Sequence, residues 1–143
     1  MILAGVIMYQ EILQIPTEGR GIWDISVHVN AVIRRAEIKR GMCNVFIHHT
    51  SASLFVNENA DANVKGDLER FFARLVPDGD PIFHHTEEGI DDMSAHVRSV
   101  LTATSLNVPV KDGRCDLGRW QGVFLWEHRT ERHTRKVTVS VWD

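Results

Sequence analysis

Long apolar runs are missing from this chain. Nothing in its 143 residues approaches the roughly 18 consecutive apolar side chains that a membrane-spanning helix requires, so no helical span and no membrane partner are expected. The leading MILAGVIMYQEI is apolar but short; it lacks a basic start and meets Gln10 and Glu11 before any cleavage pattern, so it does not read as a secretory leader. Cysteine is scarce too. Cys43 and Cys115 lie far apart without CxxC spacing, which argues against a zinc ribbon or a disulfide framework and for two buried thiols in a cytoplasmic protein. A basic excess is also absent: 16 Lys and Arg face 19 Asp and Glu, for a net charge of −3. General nucleic-acid binding is therefore not expected. The basic group Arg129, Arg132, Arg135 and Lys136 suits a small anionic ligand. Neither a GxxxxGK[ST] loop, a GxSxG elbow nor an HExxH helix occurs.

What is present suits one domain over residues 1–143, with 43% hydrophobic residues to build a core. Residues 5 to 15 read as a strand, and Pro16 to Gly21 as a turn. The stretch after Asp24 fits either period, since Ile25, Val27 and Val29 alternate while Ile25, Val29, Val32, Ile33 and Ala36 share a helix face. A helix is favoured, capped by Asp24 or Ser26 and followed by Gly41. MCNVFIH, residues 42 to 48, reads as a buried strand, and Ser53 to Asn57 as the next. Asn59 or Asp61 then offers a helix cap, with Val64, Leu68, Phe71, Phe72 and Leu75 on one face, and the helix ends at VPDGDP. Another helix is expected from Asp91 or Asp92 to about Leu101, with Met93, Val97, Val100 and Leu101 inward and His96 at the edge of that stripe. Beyond Thr104 the pattern is β, with a tight turn at Lys111-Asp112-Gly113-Arg114 and alternation of Val137, Val139 and Val141. The fold class is α+β: packed mixed or antiparallel sheets with a few covering helices.

Chemistry concentrates in HHTSASLFVNENAD, at a strand end, and around a second histidine pair, His84-His85. Imidazoles from three elements, His49, His85 and His96, can converge on a divalent ion. The alternative is that His48 and His84 are exposed and the others are hydrogen-bonded structural histidines. Glu58, Asp61 and Glu127 offer carboxylates that can orient an imidazole, ligate an ion or move a proton, although Asp61 also reads as a helix cap. Thr50, Ser51 and Ser53 supply hydroxyls near a helix N-terminus, a place suited to phosphate.

Taken together, HTSASLFVNENAD, Val64 and Asp67, His85 with EEGIDDMSAH, SLNVPV and LGRWQGVFLWEHR resemble the YjbQ family over nearly the whole chain. The resemblance implies a YjbQ-like homotrimer with polar pockets near subunit boundaries. It points to His49, Thr50, Ser53, Asn57, Glu58, Asp61, His85, His96, Trp120, Gln121 and Glu127 as characteristic positions. The activity it implies is thiamine-phosphate synthase-like transfer, joining a hydroxymethylpyrimidine diphosphate to a thiazole phosphate with release of pyrophosphate. On that expectation His49, His85 and His96 hold a divalent ion such as zinc or magnesium, and Glu58, Asp61 and Glu127 act in catalysis. Thr50, Ser53, Asn57, Arg119, Trp120, Gln121 and Arg129 would bind small phosphorylated metabolites. A trimeric metabolite-binding protein and a metal-dependent hydrolase are the competing expectations. Ala62, Ala103 and Arg119 depart from the family's usual proline, glycine and small residue, and Arg119 would add a charge beside a ligand.

Overall fold

The alternating valines near the C-terminus organise the molecule. In a computed structural model, which describes residues 5–143, they lie in the second strand of a five-stranded sheet. The chain runs β1 (Met8–Thr17), β2 (Gly21–Asp24), α1 (Ser26–Ala36), β3 (Arg40–Ile47), β4 (Ala52–Glu58), α2 (Ala62–Leu75), α3 (Asp92–Leu101), β5 (Ser105–Lys111), β6 (Arg114–Cys115), β7 (Gln121–Glu127) and β8 (His133–Trp142). One sheet has the order β1-β8-β3-β5-β6 and the other β2-β7-β4. Every pairing is antiparallel.

The core lies between the sheets. Val45, Val108, Val137, Val139 and Val141 come from the larger sheet, Leu54, Val123 and Leu125 from the smaller, and α1 adds Val29, Val32 and Ile33. Burying each such side chain contributes about 1.5 to 3 kcal/mol, so this shared layer is the main cohesive element. The opposite face of the smaller sheet carries Ser53, Phe55, Phe124, Trp126 and His128, and α2 and α3 cover it. Among the described residues no helix is long and apolar enough to cross a membrane.

Several expectations hold. The thiols of Cys43 and Cys115 are free and buried, and burial pushes them up to about 12 and about 11. Asp112 and Gly113 adopt positive φ of 53° and 75°, as the two central residues of a type I′ hairpin must. Asp61 caps α2, its Oδ1 accepting from Asn63 N at 2.9 Å.

Others need correction. The first strand starts later than expected and runs through Pro16 to Thr17, while β2, a short edge strand, occupies a segment whose pattern reads as turn and helix approach. The residue at the α1 N-cap is Ile25; Asp24 stands one position too early, although its Oδ1 still accepts from Ser26 N at 2.9 Å. Glu37, at φ 58°, closes that helix instead of Gly41. Gly41 lies inside β3, where an added Cβ would come within 1.9 Å of the Trp142 carbonyl oxygen; close strand approach, not turn geometry, requires glycine. On α2, Phe72 packs against Trp126, but Phe71 and Leu75 face solvent.

The largest correction concerns α3. Its buried residues are Asp92, Ser94, Ala95, Arg98 and Ser99, while Val100 is 83% exposed and Leu101 is exposed. The polar face points inward because the surface beneath it is itself polar. Arg98 Nη2 donates to Val76 O, Ser94 donates to Asp78, and Ser99 Oγ lies 3.4 Å from the Ala52 carbonyl. Hydrogen bonds to these fixed acceptors outweigh the burial of two aliphatic side chains.

Candidate functional site

Two elements bring the chemistry together. The loop ahead of α3 supplies His85, and the first turns of α3 supply Asp92 and His96, four residues apart and therefore on one face. Their ligand atoms all lie within 4.8 Å of one another. Asp92 Oδ2 stands 2.7 Å from His85 Nε2 and 3.1 Å from His96 Nε2. His96 Nδ1 donates to the Thr50 carbonyl oxygen at 2.8 Å. With Nδ1 donating there, an uncharged His96 ring turns a lone pair at Nε2 toward a carboxylate oxygen. Two acceptors in that position need a second proton or a cation between them.

Arg129 steadies the carboxylate from behind. Its Nη1 donates to Asp92 Oδ1 at 2.7 Å and its Nε to Asp91 Oδ2 at 3.0 Å. Burial pushes Asp92 up, but the His85 bond and the neighbouring His96 and Arg129 charges outweigh it and hold the carboxyl below its ordinary value. Burial likewise opposes ionisation of Asp91, yet Thr130 N and Arg129 bring it down to about 2. Both carboxylates are therefore ionised near neutrality.

A cleft of about 470 Å³ opens beside His96, lined by His49, Thr50, Ser99, Val100, Thr102 and Thr104. His85 lines a separate, smaller hollow of about 200 Å³, with Phe83, Thr86 and Met93. The residue set fits a divalent ion of the zinc kind. Two imidazoles and one carboxylate suit it better than magnesium, which prefers oxygen ligands and water.

The expected site residues fall into separate groups. His49 lines the cleft but is not in the triad; its Nε2 accepts from Lys136 N at 2.8 Å, and burial with the nearby Arg135 charge holds it below its ordinary value. Glu127 is fully buried, bonded by Thr17 Oγ1 at 2.9 Å, Arg129 N at 3.1 Å and both Nε and Nη2 of Arg135. With its acceptor sites so occupied, it holds structure together. Ser53 Oγ meets His128 Nε2 at 2.8 Å, and both residues are buried beneath α3.

Asn57, Glu58, Asp61, Arg119, Trp120 and Gln121 gather elsewhere. The β4–β7 ladder pairs Ala52 with Glu127 at one end and Glu58 with Gln121 at the other. Seven residues of strand put these groups about 20 Å apart at roughly 3.4 Å per residue. At the far end Asn57 Oδ1 accepts from Glu58 N, Gln121 Oε1 accepts from Gly118 N, and Arg119 stacks 4.7 Å from the exposed Trp120 ring. Sequence reading missed Asp92 as a candidate ligand because it also reads as a helix start. The signal that finds it is its four-residue spacing from His96.

An antiparallel α+β sandwich with a two-histidine, one-aspartate cluster at a strand-end cleft is the class of protein these observations define. The chain belongs to the YjbQ family: the model described as UPF0047 protein YjbQ-like matches residues 11–143. It is 50% identical over 133 residues to the UPF0047 protein sll1880 of Synechocystis sp., covering 93% of this chain and 90% of that one. It is 38% identical over 134 residues to the UPF0047 protein YjbQ of Escherichia coli O157:H7, covering 93% and 96%. Among solved structures, the conserved hypothetical protein TT1486 of Thermus thermophilus is similar, with TM-score 0.81, 36% identity and coverage of 90% and 97%. A YbjQ-like protein of unknown function from Sulfolobus solfataricus shares the fold, with TM-score 0.87 at 22% identity, covering 96% and 99%.

These findings correct the expected activity. The family description and the relatives carry no reaction, and the Sulfolobus protein is described as being of unknown function. Membership therefore assigns no thiamine-phosphate synthase or transferase chemistry, and that expectation is withdrawn.

Proposed function

We propose that the chain holds one divalent ion through His85, Asp92 and His96 and hydrolyses a small phosphorylated metabolite in the adjoining cleft. The observation that carries this reading is the convergence of His85 Nε2 and His96 Nε2 on Asp92 Oδ2, with His96 Nδ1 already committed to Thr50 O. Three protein ligands leave room for further ligands, as catalytic sites do and closed structural sites do not. Bound there, a divalent ion supplies Lewis-acid polarisation of a substrate oxygen.

The chain's own residues do the rest. Thr50, Thr102 and Thr104 line the cleft and their hydroxyls are suited to orient anionic oxygens. Glu88, whose carboxylate lies 3.7 Å from His85 Nε2, is 65% exposed and is placed to accept a proton from water. The free thiols support a cytoplasmic setting, and the homotrimer that the resemblance implies is part of this proposal.

The test is metal analysis of purified protein together with p-nitrophenyl phosphate turnover, with and without a chelator. Wild type should hold one ion per chain and lose turnover on chelation, and Asp92→Asn should lose both. Turnover that survives chelation unchanged would sink the reading, as would Asp92→Asn retaining its ion.

A further inference from the structure

The sandwich is open along one side. β1 ends the larger sheet and β2 ends the smaller, so among the described residues neither strand has a neighbour on its outer edge. Register fixes which side chains look into the gap. Leu13 pairs with Val137 and Trp23 with Leu125, and both partners belong to the buried layer between the sheets. Side chains of directly paired residues share a face, so Leu13 and Trp23 point inward from two margins of the core. Both are half-buried, and the buried Ile15 and Ile25 complete an apolar lining. The slot they form measures about 350 Å³, within the range of small-molecule sites. The Trp23 ring folds back over Gly21, where an added Cβ would stand 3.2 Å from Cζ3 and 3.3 Å from Cη2. Glycine at that position leaves the ring its place.

The rim has the opposite chemistry. Gln14, Asp24 and His28 line the slot and are exposed. Asp24 Oδ1 accepts from Ser26 N at 2.9 Å, and among the described residues no donor reaches Oδ2. Among those residues no lysine or arginine lines the slot either, so the carboxylate meets no permanent cation in the lining. A primary ammonium group has three N–H donors and no acceptor. The rim offers it Asp24 Oδ2, Gln14 Oε1 and a ring nitrogen of His28 as acceptors. An indole attracts both a flat apolar group and a nearby cation. An anion would instead face Asp24 with nothing to balance it.

We infer that this slot binds a small primary amine with a flat apolar body, its ammonium at the rim and its body against Trp23 and Leu13. The slot shares no lining residue with the cleft beside His96, so the inference stands independently of the hydrolytic reading.

Phenethylamine is the probe, with phenethyl alcohol and phenylacetate as its neutral and anionic counterparts. In NMR spectra the Trp23 indole N–H signal, identified by its loss in Trp23→Phe, should move saturably with millimolar amine. The alcohol should bind about tenfold more weakly, because the charge-assisted bond is lost, and phenylacetate should leave the signal still. Asp24→Asn keeps an oxygen for Ser26 N but removes the charge. It should weaken the amine about tenfold and leave the alcohol unchanged. His28→Arg, at an exposed position, should also weaken the amine, and a chelator should change none of these affinities. A Trp23 signal that stays still, equal affinity for amine and alcohol, or amine affinity unchanged in both Asp24→Asn and His28→Arg overturns the inference. Loss of amine binding on chelation overturns it too, by moving the amine to the candidate ion.

Discussion

Arg129 donates from Nη1 to Asp92 Oδ1 at 2.7 Å, and this bond decides which oxygen of Asp92 meets the histidines. Oδ2 is left to stand against His85 and His96. Partners of this kind, one bond removed from a ligand, commonly govern affinity by 10–100-fold. Arg129→Gln, which keeps all three ligands, should therefore weaken cobalt binding about 10–100-fold, read by competition with a chelator. An unchanged dissociation constant would show that Asp92 orients itself.

His49 gives a complementary case. It lines the cleft, yet its Nε2 accepts from Lys136 N, and the triad is complete without it. His49→Ala should leave the bound metal at one per chain while raising KM for p-nitrophenyl phosphate. Loss of the ion would place His49 among the ligands.

His128 should impose a pH dependence on stability. Burial, reinforced by Arg98, Arg20 and Arg135, pushes it down to about 3 from an ordinary 6.5. Between those values the unfolded chain takes up a proton that the folded chain refuses. Stability is thus fully present above about pH 6.5 and is lost progressively as pH falls toward 3. Urea denaturation at pH 7 and pH 4.5 should show this loss in wild type and a smaller one in His128→Gln. Equal losses in the two proteins would contradict the assignment.

Glu127 and Arg135 form a buried pair, with side chains 0% and 3% exposed. Removing one charge strands the other, so Glu127→Gln should cost about 3 to 5 kcal/mol in denaturant unfolding. A Glu127→Gln protein of unaltered stability but abolished turnover would instead make Glu127 a catalytic group.

Legibility in the sequence followed the physics of each segment. Val137, Val139 and Val141 and the Asp112-Gly113 turn were readable because period-two alternation and left-handed φ leave local signatures. The end of β3 was readable as a site for a similar reason, since His49 and Thr50 follow an apolar strand. β2 was not, because four residues carry too little periodicity. The rotation of α3 was hidden for a deeper reason: its inward face is chosen by acceptors on distant segments, Val76 O and Ala52 O, which no local hydrophobic pattern records. Distance in space also hid the division of the site. Ser53 and Glu58 are five residues apart in sequence, yet they stand at different ends of one ladder.

The seating of α3 has a consequence for how this protein can change over time. A helix held by packed aliphatics can slide or roll by fractions of a turn and find new neighbours. One held through Arg98, Ser94 and Ser99 meets fixed oxygen atoms, and each bond weakens steeply when its angle opens. Asp92 and His96 therefore ride on an element with essentially one allowed rotation. Drift in the surrounding core can alter stability without re-aiming them, whereas a single exchange of Arg98 for an aliphatic residue would turn both at once.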